Sequence, residues 1–184
     1  MSTKTNAKLV GAPRPGEERC VEPLVRMRTH TDAGVREGVV LGLLGRAEPA
    51  ALETLITLSA DREPAVRDWA TFGLARQTTQ DFPRLRAALA DRLDDDPDTR
   101  AEAIHGLAVR ADERALEPLI HALQSPPHIS DSNVIAEALY ALAVATTDPR
   151  LHLHLVADRE DRPDDDVPDA LQAALAQYAA AGYH

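Results

Sequence analysis

A helical segment recurs along this chain about every 33 residues, and no other feature constrains the fold as strongly. It reads VREGVVLGL from Val35, VRDWATFGL from Val66, TRAEAIHGL from Thr99, VIAEALYAL from Val134 and VPDALQAAL from Val167. The starts are 31, 33, 35 and 33 residues apart. A unit of this size has one apolar face and buries it only by stacking on a neighbour, so the period predicts a helical solenoid.

Each recurring segment, helix B, follows a shorter helix A, placed near Glu17 to Met27, Pro49 to Ser59, Phe82 to Leu93, Arg114 to Gln124 and Pro149 to Ala157. Asp96 before Pro97 and Asp148 before Pro149 each combine an N-cap acceptor with a residue lacking an N–H at the first helical position, so helices are expected to begin there. The stretches SPPHISDSN from Ser125 and REDRPDDD from Arg159 break the rhythm with prolines and acidic runs and are read as surface loops. Residues 1–16, MSTKTNAKLVGAPRPG, show no helical period and are read as a flexible tail. Residues 17–184 are read as a single repeat domain. Sustained period-2 alternation is absent, so no sheet is expected. The fold class is therefore all-α, a right-handed α-solenoid of about five stacked helical hairpins.

Aligning the B segments shows which face is core. The starting position and the fourth and eighth after it fall in one apolar arc. The eighth is Leu43, Leu74, Leu107, Leu142 and Leu175, and the one before it is always small: Gly42, Gly73, Gly106, Ala141 and Ala174. Glycine costs a helix about 1 kcal/mol relative to alanine, so its use three times implies close helix contacts.

Composition narrows the partners. With 44% hydrophobic but 3% aromatic side chains, the core is built largely from Ala and Leu. A formal charge of −10 and a pI near 5.1 disfavour nucleic acid and anionic membranes, which usually select a basic surface. A lone Cys20, no charged-then-apolar leader and no apolar run of about 20 residues lead to the expectation of a cytoplasmic protein without a membrane span.

The repeat resembles that of HEAT proteins, specifically the short bacterial HEAT-like units also found in phycobilin lyase subunits, over residues 17 to 181. HEAT families carry an Asp before helix B and an Arg just inside it, paired between repeats as a ladder. Asp61 with Arg67 and Asp94 with Arg100 keep that spacing, whereas Arg36 has His30 in the Asp place. The last two units depart, with Ile129 and Ile135, then Arg162 and Pro168. The resemblance thus implies a ladder of Asp61, Arg67, Asp94 and Arg100 alone. Glu22-Pro23-Leu24 and Glu117-Pro118-Leu119 resemble the kinking proline of HEAT helix A. Proteins of this type serve as scaffolds, bilin lyases, DNA glycosylases and iron-dependent hydroxylases.

Chemistry-bearing constellations are sparse. HEAT hydroxylases hold two irons with His-Glu pairs early in helix B; here Glu102 and Glu137 occupy the Glu column, but Ala101 and Ala136 stand where histidine is needed. His152 and His154, two apart on a helix, diverge by about 200° and cannot share a metal, so they are read as surface histidines. His121 and His128 bracket a Pro-rich loop without further ligands. Cys20 has no identifiable relay. No nucleotide-binding or zincin motif is present. The expectation is no catalytic residue, no metal and no cofactor.

The positions off the core arc are richer. The third and sixth after each start hold Trp69 and Phe72, Glu102 and His105, Glu137 and Tyr140, one turn apart on the same face, with Asp68 and Arg76 alongside. Trp69, Phe72 and Tyr140 are half of the six aromatic residues. This strip is read as a binding groove, and the competing reading is that the aromatics only close the packing between adjacent B helices. Arg46, Arg76 and Arg110 near B-helix C-termini are explained by the helix dipole.

The leading functional expectation is a non-enzymatic protein-interaction or scaffold module, monomeric or weakly dimeric. It would present an acidic, aromatic-bearing concave strip to a basic protein or peptide. The alternative is a small-molecule-binding or lyase-like protein with Trp69, Phe72 and Tyr140 as walls and His105 or Glu102 moving protons. A HEAT-type DNA glycosylase is disfavoured by charge.

Overall fold

The computed structural model describes residues 21–124, 132–163 and 165–183. These form α1 (Val21–Met27), α2 (Ala33–Leu43), α3 (Pro49–Leu58), α4 (Pro64–Arg76), α5 (Pro83–Ala90), α6 (Pro97–Ala108), α7 (Leu116–Gln124), α8 (Ser132–Thr146), α9 (Pro149–Glu160) and α10 (Asp169–Ala180), with a single 3-10 turn at Glu113–Ala115 leading into α7. No strand occurs among the described residues. The even-numbered helices are the five B segments and the odd-numbered ones the five A segments. The tail expected over 1–16 and most of the loop expected from Ser125 lie outside the described residues. The loop expected from Arg159 starts later, because α9 runs on through Glu160 and is capped at Asp161.

The chain divides into two compact units, Met1–Ala88 and Leu89–His184, with the boundary inside α5. In the N-terminal unit α1 packs on α2 and α3 on α4, while α2 meets α4 and α1 meets α3. The C-terminal unit repeats the scheme: α7 packs on α8 and α9 on α10, α8 lies against both α6 and α10, and α7 meets α9. B on B and A on A is what stacking hairpins produce.

The leucine column explains the cohesion. Leu43, Leu74, Leu107 and Leu142 are completely buried, as are Ala70, Ala103, Ala138 and Leu171 four positions earlier in their helices. Each such leucine contributes about 1.5–3 kcal/mol through removal from water. Leu175 is only half-buried, since α10 packs against α8 and α9 and has no B helix on its other side. The glycine column does permit close approach. A Cβ on Gly73 would stand 2.9 Å from Leu44 Cδ2 and 3.4 Å from Leu55 Cδ1, and one on Gly42 would stand 2.8 Å from Leu24 Cδ1.

Prolines and aspartates set the helix starts. Pro49, Pro64, Pro97 and Pro149 stand in the first turn of α3, α4, α6 and α9. The Asp96 carboxylate accepts from the Thr99 N–H and that of Asp148 from the Arg150 N–H, as expected from the sequence. Asp112 does the same for Arg114 ahead of the 3-10 turn. Beyond α6 and α8 the chain turns through Ala111 (φ 52°) and Thr147 (φ 48°), immediately before these capping aspartates; after α2 the left-handed position is Gly45 (φ 73°).

The ladder differs from expectation. Its clearest rung belongs to Arg36, which was expected to lack a carboxylate. The Arg36 guanidinium donates from Nε and Nη2 to both oxygens of Asp61, each at 2.7 Å, and from Nη1 to the His30 carbonyl at 2.8 Å. With Arg36 only 4% exposed, this is a buried, bidentate link between the first two repeats. The pairing holds the Asp61 carboxyl below its ordinary range and raises Arg36 further. His30 serves through its backbone, so the side chain at that position need not be acidic. Arg67 likewise donates to the Asp61 carbonyl at 3.1 Å. A second set of rungs joins A helices: Arg84 to Glu53 at 2.6 Å and Arg150 to Glu117 at 2.7 Å, in each case with the Arg directly after the proline that opens the later helix.

Candidate functional site

The eight strip residues fall in two groups by unit and two by burial. In the N-terminal unit, α4 carries Asp68, Trp69, Phe72 and Arg76. Phe72 is buried, and the other three are half-buried. Trp69 meets Phe72 edge to face, with ring centroids 5.7 Å apart and planes at 85°. Phe72 thus forms the floor beneath an indole that keeps part of its surface open. Such edge-to-face pairs fix ring orientation.

In the C-terminal unit, Glu102 and His105 on α6 and Tyr140 on α8 are buried, while Glu137 on α8 is exposed. His105 Nε2 lies 3.5 Å from Glu137 Oε2, which sets the register of the two helices: the sixth position of one faces the third position of the next. At His105 the sixth position therefore points into the seam between B helices, and Phe72 and Tyr140 at the same position are likewise buried, whereas Leu41 in α2 is not. A wheel drawn for one helix places His105 off the core, but the neighbouring helix covers it. Phe72, His105 and Tyr140 accordingly act from beneath the surface, and Glu137, with the half-buried Asp68, Trp69 and Arg76, reaches it.

Tyr140 is further committed. Its hydroxyl donates to the Asp158 carboxylate of α9 and accepts from Arg162 Nη2 at 3.3 Å, while Arg162 Nε donates to Asp158 Oδ1 at 3.1 Å. Burial, then the hydrogen bond to Asp158, pushes the Tyr140 phenol up to about 12. A phenol so placed holds its proton throughout the neutral range, which suits a tie between helices and not proton transfer. His152, expected at the surface, is half-buried and stacks on Tyr178 at 5.3 Å, with Tyr183 5.5 Å away. Tyr178 in turn donates its hydroxyl to the Asp148 carbonyl at 2.5 Å. Among the described residues no group of three or more His, Cys, Asp or Glu is arranged to hold a metal ion.

Sequence reasoning passed over residues one turn beyond the strip. Val109 and Val144 occupy the tenth position after the aligned segment starts Thr99 and Val134, and are 48% and 43% exposed. Leu41, at the sixth position in α2, is 47% exposed. Five large apolar side chains stand out in solvent among the described residues: Leu41 in the N-terminal unit and Val109 and Val144 in the C-terminal unit belong to B segments, Met27 and Leu153 to A helices. Val109 and Val144 stand in the column that holds Arg76 in α4, and Leu41 stands in the column of Phe72, so the columns contained all three.

Charge is also divided unevenly. Residues 1–88 hold 13 Lys and Arg against 11 Asp and Glu, a formal +2, whereas residues 89–184 hold 7 against 19, a formal −12. None of the third, sixth and tenth positions of α6, α8 and α10 is Lys or Arg.

Helices that pack as stacked hairpins within each unit, with a small residue before the aligned leucine of every B helix, define a helical-repeat protein. The solved structure of YibA of E. coli, a HEAT-like repeat protein, matches this chain with a TM-score of 0.56 at 19% identity, covering 92% of this chain and 71% of that one. That likeness shows the fold, a helical repeat consistent with an α-solenoid. No family model and no curated protein sequence matches the chain. Among the described residues no helix is long and apolar enough to cross a membrane.

Proposed function

We propose that this chain is a HEAT-like repeat protein, of the bacterial type also found in phycobilin lyase subunits, acting as a non-enzymatic protein-interaction module in the cytoplasm. The B-helix faces bind a partner protein or peptide with a basic surface. The observation that carries this reading is the exposure of Val109 and Val144 beside Glu137 in the C-terminal unit, when almost all other large apolar side chains are covered. Exposed apolar groups rimmed by acids are what a partner with aliphatic anchors and cationic neighbours would cover. The formal −12 of residues 89–184 adds attraction at a distance.

The test is comparative capture from the native host. Wild type, Trp69→Ala and Glu137→Ala are used as baits beside Arg26→Ala and His154→Ala, which lie on A helices. The expected result is one partner retained by wild type and both A-helix variants and depleted at least several-fold by the two B-helix variants. Equal recovery with all baits would overturn the reading.

A second reading, a small-molecule site, draws support from the burial of His105 and Glu102 on one face of α6. Tyr140 speaks against its role as an open wall, since its ring is buried and its hydroxyl is tied to Asp158 and Arg162. A ligand co-purifying with wild type but lost from His105→Ala would favour this second reading.

A further inference from the structure

We infer that the C-terminal unit has a defined docking surface for a basic amphipathic helix of a partner protein, with Val109 of α6 and Val144 of α8 as its apolar floor and Glu137 as its acidic edge. This rests on the interaction-module reading and narrows it to one face of one unit and one class of partner.

The floor follows from the register. With His105 beside Glu137 at 3.5 Å, the next turn of α6 brings Val109 toward the level of Ala141, and Val144 stands one turn further along α8. Val109 and Val144 are 48% and 43% exposed, and Ala141 between them is half-buried. Alanines continue the face on α10, where Ala170 and Ala173 are exposed. Two branched aliphatics on adjacent helices, joined by small side chains, make a shallow apolar strip in which no bulky group blocks an approaching helix. One exposed valine has no meaning by itself, but two in the same repeat column of packed helices form a contiguous patch.

The occupant follows from charge. No cation occupies the third, sixth or tenth position of α6, α8 or α10, while Glu137 is exposed beside the valines and Asp98, Asp166 and Asp169 are exposed at the starts of α6 and α10. The unit as a whole is formally −12. A partner carrying aliphatic residues at i, i+3, i+4 and i+7 and Lys or Arg on the flanks satisfies both features. An acidic or purely polar segment satisfies neither.

The experiment uses the full chain, isotope-labelled for amide spectra. It is titrated with a synthetic 18-residue amphipathic Leu/Lys helix, with a scrambled peptide of the same composition, and with the corresponding Leu/Glu helix. The variants Val109→Asn and Val144→Asn, alone and together, leave the charge unchanged, and Leu153→Asn on α9 is the control. Val109→Thr with Val144→Thr keeps the side-chain shape should the Asn pair disturb the helices. The expected result is saturable binding of the amphipathic Leu/Lys helix with shifts confined to α6 and α8. The double Asn variant weakens it about tenfold or more, the Thr pair weakens it less, and Leu153→Asn leaves it unchanged. The scrambled peptide binds at least tenfold more weakly and the Leu/Glu helix does not bind. Undiminished binding to both double variants, or equal binding of the scrambled peptide, reduces the effect to bulk charge and overturns the inference. Absence of binding overturns it as well. Shifts centred on Trp69 instead of Val109 overturn it too, while leaving the broader B-helix-face reading standing.

Discussion

The two units solve the same problem, joining one hairpin to the next, with different chemistry. In the N-terminal unit the junction is buried: Arg36 and Asp61 meet bidentately with side chains 5% and 9% exposed, and the turn after α2 uses Gly45 for its left-handed position. In the C-terminal unit the junction aspartates are largely covered, but the arginines they clasp stand half in solvent, Arg114 at 48% and Arg150 at 47%. Asp112 and Asp148 each hold a helix start and clasp the arginine two residues on, Arg150 continues to Glu117, and Ala111 and Thr147 occupy left-handed positions that glycine fills more cheaply. A repeat fold thus needs its leucine column everywhere but leaves the wiring between hairpins free to vary. Charge can then collect in one unit, formally −12 against +2.

The largest effect is expected where the N-terminal unit is tightest. Gly73→Leu adds a branched side chain where a Cβ alone would lie 2.9 Å from Leu44, and overpacking of this kind costs about 1–3 kcal/mol. Gly38→Ala, with nothing within 4 Å, is the contrast and stabilises by about 0.5–1 kcal/mol through helix propensity. Chemical denaturation followed by Trp69 fluorescence reads this unit, since Trp69 is the only tryptophan. A neutral Gly73→Leu would mean that α4 is rotated from the described packing.

Next come the junctions. Arg36→Ala should lower the melting temperature clearly more than Arg150→Ala, because it strands a covered Asp61 whereas Glu117, 74% exposed, is returned to water. Equal losses would erase the distinction between buried and surface wiring.

Alkaline titration followed by tyrosine absorbance reads the C-terminal unit, as all three tyrosines lie there. Tyr140 and Tyr178 are both pushed up to about 12 from 10.0, chiefly by burial. A phenol with a raised folded value contributes stability that is fully present below about pH 10 and is lost as the pH rises to about 12. Stability measured over that window should therefore fall, and Tyr140→Phe and Tyr178→Phe should each flatten the fall. An unchanged slope in both variants would contradict the buried placement.

The smallest effects lie in the turns. Thr147→Gly should stabilise by about 1 kcal/mol, relieving a β-branched residue at φ 48°, while Gly45→Ala should destabilise by a similar amount. Opposite signs at equivalent turns, read as shifts in denaturation midpoint, would sharpen the contrast between units; like signs would break it.

These contrasts also show what the sequence discloses. The leucine column, all ten helices and the caps at Asp96 and Asp148 follow from periodicity and local chemistry, which operate within a single helix or turn. The Arg36 rung did not, because its partner Asp61 lies 25 residues away and because a backbone carbonyl replaced the side chain expected at His30. The burial of Phe72, His105 and Tyr140 escaped for a related reason: the 100° wheel places them off the core, and what covers them comes from elsewhere in the chain, Glu137 of α8 beside His105 and Asp158 of α9 beside Tyr140. Val109 and Val144 share a column with Arg76, but a valine one turn beyond the strip carries no sign of its exposure in the sequence.

Hydrogen exchange on the full chain with and without its captured partner tests the central claim, that the B-helix face is where this protein binds. The account predicts slowed exchange in α6 and α8, with α7 and α9 unchanged. Protection concentrated in α7 and α9, or spread evenly over A and B helices, would contradict it.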